Sequence, residues 1–183
     1  SDHIKVFNEA QRCYNSTYNA SFVRKRDCAK RALEAGRFIF EPGSLNIAAL
    51  TYNYGNALNR RDEKLDVLGQ ALELYEAIYG KSSLEVIDVL IDMGATRKVI
   101  AIAKKYFEKD SVEYASVLLE LAMSNMLSLN DTSRYADSAL EIYLEEEGVE
   151  SYNTAAASFQ MGKVKFAQEN YKSAIPYLIG ATK

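Results

Sequence analysis

One short segment recurs along this 183-residue chain, and its recurrence restricts the fold more than any other feature. The segments LNIAALTYNYG, LEVIDVLIDMG, VEYASVLLELA and YNTAAASFQMG align without a gap, and each ends in a small residue. These small residues are Gly55, Gly94, Ala122 and Gly162, and Cys13 takes the same place in an N-terminal segment. Three of the four intervals are close to about forty residues, a period typical of α-solenoids, whose helical hairpins bury their apolar faces against their neighbours.

The stretch Tyr152–Ala181 shows the pattern most clearly. It predicts two short amphipathic helices, because apolar and small residues in its second half, Leu178 among them, recur at intervals of three and four. Gly162 lies late in the first helix, where the absence of a side chain lets two helices approach closely. Pro176 is expected in the first turn or so of the second helix, where its missing N–H removes little.

This alternation of small and large residues resembles the signature of the tetratricopeptide repeat (TPR). The phrases RALEAGRFIFEPGSLNIAAL and QALELYEAIYGKSSLEVIDVL each contain a long second helix, a glycine and a Ser-containing cap before the next helix. In this respect the chain is similar to the kinesin-light-chain type of TPR, with repeats of about forty residues. The resemblance covers Phe7 to Ala181 and is weakest in ATRKVIAIAKKYFEKD, which must supply a second helix in few residues.

The predicted fold is therefore all-α, an α-α superhelix (TPR solenoid) of about five helical hairpins, one of them abbreviated. We expect a single domain over residues 1–183, with approximate repeats at 4–40, 44–80, 83–110, 111–147 and 151–181. A terminal repeat normally has a polar outer face, but the last helix carries Ile175 and Leu178 without a capping helix. The segment is thus expected to be a fragment of a longer chain, or to form a homodimer through this end.

Composition restricts the partners. The sequence is 48% hydrophobic and 26% charged with only 9 Gly and 2 Pro, which favours an ordered, helix-rich protein. Its formal net charge of −3 provides no basic field, so nucleic acid is not an expected partner. No apolar run approaches the roughly 18–20 residues that span a bilayer, so no direct membrane insertion is expected. A soluble protein of either the cytoplasm or the periplasm fits these features.

Candidate chemistry is sparse. The single histidine, His3, lies beside the N-terminus, where it is poorly placed to serve as a catalytic base. The sequence contains no Gly-rich phosphate loop and no zinc-spaced Cys/His cluster, so we predict no enzyme activity, no cofactor and no metal site. Cys13 and Cys28 are interpreted as two buried small hydrophobic residues, with a disulfide as the alternative.

The TPR resemblance also implies a binding groove, because the first helix of each pair lines the concave side of such arrays. Alignment places these residues in the groove: Tyr14, Tyr18, Tyr52, Asn56, Asn59, Arg60, Lys98, Phe159 and Lys163. Asn56, Asn59 and Arg60 lie at i, i+3 and i+4, so their polar ends are expected to converge on one helix face. Amides and a guanidinium suit a peptide backbone or carboxylate, although an ordinary polar concave surface explains them equally well.

These features predict a non-catalytic protein–protein interaction scaffold that binds a peptide or protein segment in its concave groove. One alternative is a regulatory receptor in which a bound peptide reshapes the solenoid. The other is a TPR segment of an exported bacterial cell-envelope protein, since some TonB-family energy transducers look similar in carrying such repeats before another domain.

Overall fold

The computed structural model describes residues 2–16, 21–124 and 126–181, and within them the chain forms ten helices and no strand. In chain order these are α1 (Asp2–Asn15), α2 (Phe22–Gly36), α3 (Leu45–Asn56), α4 (Arg61–Tyr79), α5 (Leu84–Asp92), α6 (Thr96–Tyr106), α7 (Val112–Met123), α8 (Leu129–Glu146), α9 (Tyr152–Ala167) and α10 (Tyr171–Gly180). The fold is the predicted all-α, TPR-like helical repeat.

Serine residues set the starts of the repeated helices. The side chain of Ser44 accepts a hydrogen bond from the backbone N–H of Ile47 at 3.4 Å, and Ser83 accepts one from Val86 at 3.2 Å. Ser151 does the same at the start of α9. The first amides of a helix have no partner within the helix, so a serine at this position satisfies one of them and marks the first residue. The recurring segment therefore begins where the chain can cap a helix.

Glycine at the end of the recurring segment permits close packing of paired helices. A β-carbon on Gly55 of α3 would lie 2.7 Å from Leu68 Cδ2 of α4, and one on Gly162 of α9 would lie 2.5 Å from Leu178 Cδ2 of α10. Both distances are too short for two carbon atoms in contact, so only glycine leaves room for the leucine. This confirms the packing role predicted for these two glycines.

Gly94 differs from the other members of the series. It lies two residues beyond the end of α5 and has a φ of +74°, in the left-handed region that glycine adopts without strain. Its role is therefore to end the segment after α5, and a β-carbon added at Gly94 would meet no described heavy atom within 4 Å, in contrast to Gly55 and Gly162. α5 is only nine residues long and α6 only eleven, which agrees with the abbreviated repeat predicted for this region.

The chain divides into two compact units, Ser1–Met93 and Gly94–Lys183. In the first unit α1 pairs with α2 and α3 pairs with α4, while α2 also packs on α3 and α4 on α5. One core cluster joins Ala10, Ala32, Leu33 and Leu50. Small alanines on α1 and α2 bring those helices close enough for Leu50 of α3 to contact both.

The second unit contains the α7–α8 and α9–α10 pairs, with α6 packed on α7 and α8 packed on α9. Tyr143 and Met161 are among its largest fully buried side chains. The buried Gln160 of α9 donates its amide N–H to the backbone carbonyl of Ala122, near the end of α7, at 2.7 Å. A helix end has unpaired carbonyls, so this side chain satisfies one of them in the interior.

Cys13 of α1 and Cys28 of α2 form a disulfide, so the prediction of two unpaired cysteines is wrong. Their Cα atoms are 5.8 Å apart, within the usual range for a disulfide. The two cysteines meet because α1 and α2 pack side by side. This packing brings together residues that are 15 positions apart in the sequence. Sequence spacing alone does not show which faces of two helices meet.

Pro176 lies deeper in its helix than predicted. α10 begins at Tyr171, so Pro176 is its sixth residue and belongs to the second turn. There its missing N–H leaves the carbonyl of Lys172 without the usual donor four residues later. The helix continues to Gly180 despite this lost bond.

Candidate functional site

The C-terminal end of α3 carries two of the predicted groove residues, Tyr52 and Asn56, both partly buried, and both donate to one acceptor. Tyr52 Oη donates a hydrogen bond to Asp92 Oδ2 at 2.5 Å, and Asn56 Nδ2 donates to the same oxygen at 2.7 Å. Asp92 is the last residue of α5, so these bonds tie the ends of two first helices of successive repeats. The structure thus builds a polar trio at the surface of the first unit.

Alignment of the repeats placed Lys98 of the third repeat in the groove and did not place Asp92 there. A signal was present in the sequence. Glu85, Asp88 and Asp92 are separated by three and four residues, so their side chains form one stripe along α5. Asp92 of this stripe accepts a hydrogen bond from Tyr52 of α3, and the negative charges of Glu85 and Asp88 help to raise the pKa of Tyr75 of α4.

The pKa of Tyr52 is raised well above the ordinary value for a phenol. Burial is the largest cause, and the hydrogen bond to Asp92 and the negative charges of Asp92 and Asp88 add to it, while the Asn56 contact acts in the opposite direction. A phenol with a raised pKa keeps its proton at neutral and mildly alkaline pH. Tyr52 is therefore a permanent donor to Asp92 under ordinary conditions.

Three tyrosine rings form the wall of this surface. The ring centroids of Tyr52 and Tyr75 are 6.3 Å apart in an edge-on arrangement, and those of Tyr75 and Tyr79 are 6.3 Å apart and stacked. The pKa of Tyr75 is raised, first by burial and then by Tyr79 and the carboxylates of Glu85 and Asp88. We call this surface the acidic tyrosine face; it consists of Tyr52, Asn56, Tyr75, Tyr79, Glu85, Asp88 and Asp92.

The predicted convergence of Asn56, Asn59 and Arg60 on one helix face is wrong. α3 ends at Asn56, so Asn59 and Arg60 lie in the turn before α4 and do not continue its face. Arg60 instead pairs with Glu63, with Nη1 2.8 Å from Oε1, and Asn59 is exposed. One N–H of the Asn56 amide is already bonded to Asp92, so the chain's own carboxylate lies where an incoming carboxylate would contact this group.

The remaining predicted residues lie elsewhere. Tyr14 is half-buried on α1, where burial raises its pKa and Lys25 Nζ lies 5.6 Å from its ring centroid; Tyr18 lies outside the described residues. In the second unit, Lys98 is an exposed residue of α6, and Lys163 Nζ of α9 lies 5.9 Å from the ring centroid of the exposed Phe159. Tyr52 and Asn56 of the predicted set are joined through a shared partner, Asp92.

Two structural features are absent from the described part of the chain: a group of side chains placed to bind a metal ion, and a helix able to cross a membrane. Among residues 2–16, 21–124 and 126–181, no group of three His, Cys, Asp or Glu side chains is arranged to hold a metal ion. In the same ranges, no helix combines the length and the apolar character needed to cross a membrane. The arrangement of the acidic tyrosine face is suited to hydrogen bonding and apolar contact.

Comparison with solved structures places the fold among kinesin-light-chain TPR-like repeats. Two crystal structures, one of them of a point variant, are of a Podosopora anserina protein described as a kinesin light chain with nearly identical TPR-like repeats. They match with TM-scores of 0.62 and 0.60 at 12% and 10% identity, over 97% of this chain and 92% of theirs. BtubC (BKLC) from P. vanneervenii matches with a TM-score of 0.53 at 13% identity, over 99% of this chain and 87% of its own.

No protein-family model matches the sequence, and the comparison with curated proteins found no match either. The similarity to the solved structures extends over nearly the whole chain at an identity of 10–13%, so it shows the fold alone. The predicted resemblance to kinesin-light-chain-type TPR repeats is confirmed at that level. Such folds generally serve as protein-interaction scaffolds.

Proposed function

We propose that this chain is a non-catalytic interaction scaffold that holds a peptide or protein segment on the acidic tyrosine face. The observation that carries the proposal is the trio of Tyr52, Asn56 and Asp92, which holds a carboxylate in one orientation at a half-exposed surface. An isolated surface Asp would move freely, whereas two donors fix this one. A fixed acceptor recognises a partner at a lower entropic cost than a mobile one.

The chemistry of the face favours a partner rich in hydrogen-bond donors. Asp92 Oδ2 already accepts two bonds, which leaves Oδ1 to accept from a backbone amide or a basic side chain. Glu85 and Asp88 are exposed on the same stripe and add two further negative charges. A bound carboxylate would be repelled by these groups, so the peptide-carboxylate alternative in the sequence-based hypothesis is disfavoured.

The tyrosines complete the proposed recognition. Tyr79 is 42% exposed and stacks with Tyr75, so its ring offers a flat surface to a partner. A lysine or arginine that contacts such a ring gains a cation–π interaction while its charge reaches a nearby carboxylate. We therefore expect the bound segment to be extended, basic and accompanied by apolar groups.

The test measures binding of basic peptides to matched variants. Fluorescent peptides that are rich in Lys or Arg should bind the wild-type chain more tightly than otherwise identical Gln peptides, and the affinity should fall with added salt. Asp92→Asn and Glu85→Gln should each weaken binding of the basic peptides. Glu73→Gln removes the same charge from an exposed position of α4 outside the face, so it should bind as the wild type does.

The decisive outcome is the contrast between these variants. If Glu73→Gln weakens binding as much as Asp92→Asn, the effect is one of general charge and the proposed site is wrong. If basic and neutral peptides bind equally, the proposed partner chemistry is wrong. Circular dichroism of each variant establishes that the helices are retained.

A homodimer is the second proposal, because the end of the second unit exposes apolar side chains. Ile175 of α10 is 55% exposed and Tyr171 is 53% exposed, while Phe166 of α9 is 60% exposed and contacts the Tyr171 ring. Contiguous exposed apolar groups of this kind favour association with another protein surface. We propose that a second copy of the chain supplies that surface.

A further inference from the structure

A cavity of about 430 Å³ opens in the second unit between α6, α7 and α8. This volume lies within the range of about 300–1,000 Å³ that is typical of pockets for small molecules. Its charged lining comes from α6, α8 and the turn before α7. α6 and α8 are the second helices of their repeats, whereas the predicted groove follows the first helices. The cavity is therefore a separate surface from that groove and from the acidic tyrosine face.

Helical spacing places several lining residues on one face of each helix. On α8, Arg134, Ser138 and Glu141 are separated by four and three residues, and all three line the cavity. On α6, Ile100 and Lys104 are four residues apart and line it too. Side chains on helices hold their positions better than side chains on loops, so these two faces give the cavity a defined shape.

The turn between α6 and α7 supplies two more charged residues. The N–H of Ser111 bonds to the carbonyl of Glu108 at 3.0 Å, which closes the turn around Lys109 and Asp110. Ser111 also caps α7, because its side chain accepts a hydrogen bond from the N–H of Tyr114 at 3.1 Å. The same serine therefore fixes the turn and the start of the helix whose third residue, Tyr114, lines the cavity.

Tyr114 is a buried residue whose hydroxyl group is available to a ligand. The residue is only 9% exposed, and in the described part of the chain its phenol oxygen has no hydrogen-bond partner. No described side-chain oxygen is both fully enclosed and without a partner, so this oxygen is reached from outside. Because Tyr114 lines the cavity, that access is through the cavity. A buried hydroxyl without a protein partner is stabilised by a bound group that supplies one.

The lining is positive although the protein is acidic. Three of its residues are cations, Lys104, Lys109 and Arg134, and two are carboxylates, Asp110 and Glu141. The formal net charge of the whole chain is −3, so a positive lining is a local feature. Both lysines are exposed, and among the described residues no ion pair involves either of them. Their ammonium groups are therefore available to an anion.

Arg134 is held in place beside the cavity. Its Nη2 lies 2.9 Å from Asp131 Oδ1 and donates to Tyr135 Oη at 3.4 Å, and its guanidinium carbon lies 5.0 Å from the Tyr135 ring centroid. A guanidinium has five N–H donors, so Nη1 and Nε can still bind a ligand. Arg134 covers one face of the Tyr135 ring, and Tyr114 is buried. The site therefore favours a ligand held by charge and hydrogen bonds over one that stacks on a ring.

We propose that this cavity binds a small phosphorylated polyol, such as a sugar phosphate. The phosphate contacts the three cations, and the hydroxyl of Tyr114 donates to one of its oxygens. A phosphate monoester carries close to two negative charges at neutral pH, so it matches three cations better than a single carboxylate does.

The two carboxylates of the lining select the rest of the ligand. An ionised carboxylate only accepts hydrogen bonds and repels a second anion, so Asp110 and Glu141 favour hydroxyl groups beside the phosphate. Ser138 adds a hydroxyl that both donates and accepts. The volume of the cavity suits such a molecule better than a bare phosphate ion, which would leave most of the space to water.

The inference does not rest on the proposed peptide-binding function, because the two surfaces lie in different units and share no residue. The test is a titration of the isotopically labelled full chain with glucose 6-phosphate in a phosphate-free buffer, followed by nuclear magnetic resonance. The sugar phosphate should shift the backbone amide signals of Lys104, Asp110 and Ser138, which report on three sides of the lining. Glucose and inorganic phosphate, titrated separately, should each bind at least about tenfold more weakly, because each lacks half of the contacts.

Matched variants assign the binding to the cavity. Lys104→Gln should weaken binding of glucose 6-phosphate by about threefold or more, as expected for loss of one exposed charge at the phosphate. Lys105→Gln removes the same charge from the next residue of α6, which is exposed and outside the lining, so it should bind as the wild type does. Tyr114→Phe removes one oxygen and keeps the ring, and it should weaken binding by about threefold or more. Circular dichroism of each variant establishes that the helices are retained.

Each other outcome overturns the inference. Absence of these shifts at up to about 10 mM glucose 6-phosphate shows that the cavity does not bind this class of ligand. Equal binding of inorganic phosphate shows that the polyol is not recognised, and equal binding of glucose shows that the phosphate is not. An equal loss in Lys104→Gln and Lys105→Gln reduces the effect to overall charge. Unchanged binding by Tyr114→Phe shows that the buried hydroxyl does not contact the ligand.

Discussion

Two glycines of the first unit, Gly55 and Gly69, should respond in opposite ways to replacement by alanine. Both lie in helices, Gly55 in α3 and Gly69 in α4. Alanine is favoured over glycine inside a helix by about 1 kcal/mol, because it loses less backbone entropy on folding. Helix propensity alone therefore predicts that both replacements stabilise the protein.

Packing reverses this at Gly55. A β-carbon there would lie 2.7 Å from Leu68 Cδ2, 3.0 Å from Leu68 Cγ and 3.3 Å from the Leu68 backbone nitrogen. Leu68 is fully buried, so its side chain cannot move away without displacing the core. Forcing an extra carbon into a packed interior costs about 1–3 kcal/mol, which exceeds the gain in helix propensity.

At Gly69 the space is open, because no described heavy atom outside its own helix backbone and chain neighbours lies within 4 Å of an added β-carbon. Gly69→Ala should raise the free energy of unfolding by about 0.5–1 kcal/mol. Gly55→Ala should lower it by up to about 2 kcal/mol, the difference between the packing cost and the propensity gain.

Urea unfolding followed by circular dichroism measures both changes. The midpoint should move to higher urea for Gly69→Ala and to lower urea for Gly55→Ala, at an unchanged slope. If Gly55→Ala stabilises the chain as much as Gly69→Ala does, then the close approach of α3 and α4 at Leu68 is not what requires glycine. The explanation of the recurring small residue would then be wrong.

Three further predictions concern other parts of the structure. The pKa of Tyr52 is higher in the folded state than in the unfolded state, where it is roughly 10. The protonated phenol therefore contributes its full stability below the unfolded pKa, and this contribution is lost as the pH rises towards the folded pKa. Tyr52→Phe should therefore reduce the alkaline loss of stability in pH-dependent unfolding, and a change of the same size in the exposed Tyr106→Phe would contradict this. Reduction of the Cys13–Cys28 disulfide, which spans 15 residues, should lower the free energy of unfolding by about 2–3 kcal/mol, and an unchanged denaturation midpoint under reducing conditions would exclude a stabilising role. Ile175→Lys should shift the chain from dimer to monomer in sedimentation equilibrium, whereas a wild-type chain that stays monomeric at all concentrations would refute the dimer.

The structure changes the chemistry assigned to the predicted groove. The sequence-based hypothesis placed amides and a guanidinium at a site for a peptide backbone or carboxylate. In the structure, the Asn56 amide bonds to Asp92 and the Arg60 guanidinium pairs with Glu63. Each of these two groups therefore has a carboxylate partner within the chain, and around Asn56 that partner makes the surface an acceptor.

The starts of the repeated helices followed from local features that the sequence itself displays. Serine caps such as Ser44 and Ser151 mark helix starts through bonds to amides only three residues away. Glycines such as Gly55 and Gly162 mark the places where neighbouring helices approach closely, because a larger side chain there would clash with the next helix. These effects are short-range, so the fold class and the abbreviated third repeat were readable from the order of residues.

The binding surface was not predictable in the same way, because it depends on contacts between helices. Asp92 lies 40 positions from Tyr52 and 36 from Asn56, and only the packing of the first unit brings the three together. The position predicted for Arg60 was wrong because it assumed that α3 continues past Asn56. The turn into α4 ends α3 at Asn56, so Arg60 does not lie on a face of α3. A pattern of i, i+3 and i+4 has meaning only while the helix continues.

By itself, the sequence determined a helical repeat protein, because capping, periodicity and small-residue spacing act within one or two turns of the chain or between adjacent helices. Tertiary structure alone decided two further features: the pairing of Cys13 with Cys28 and the hydrogen bonds from Tyr52 and Asn56 to Asp92. Both require knowledge of which helix faces meet. The physical reason is that two side chains interact only if they are close in space. A repeat period predicts where whole helices lie along the chain, but it does not predict which of their side chains come into contact.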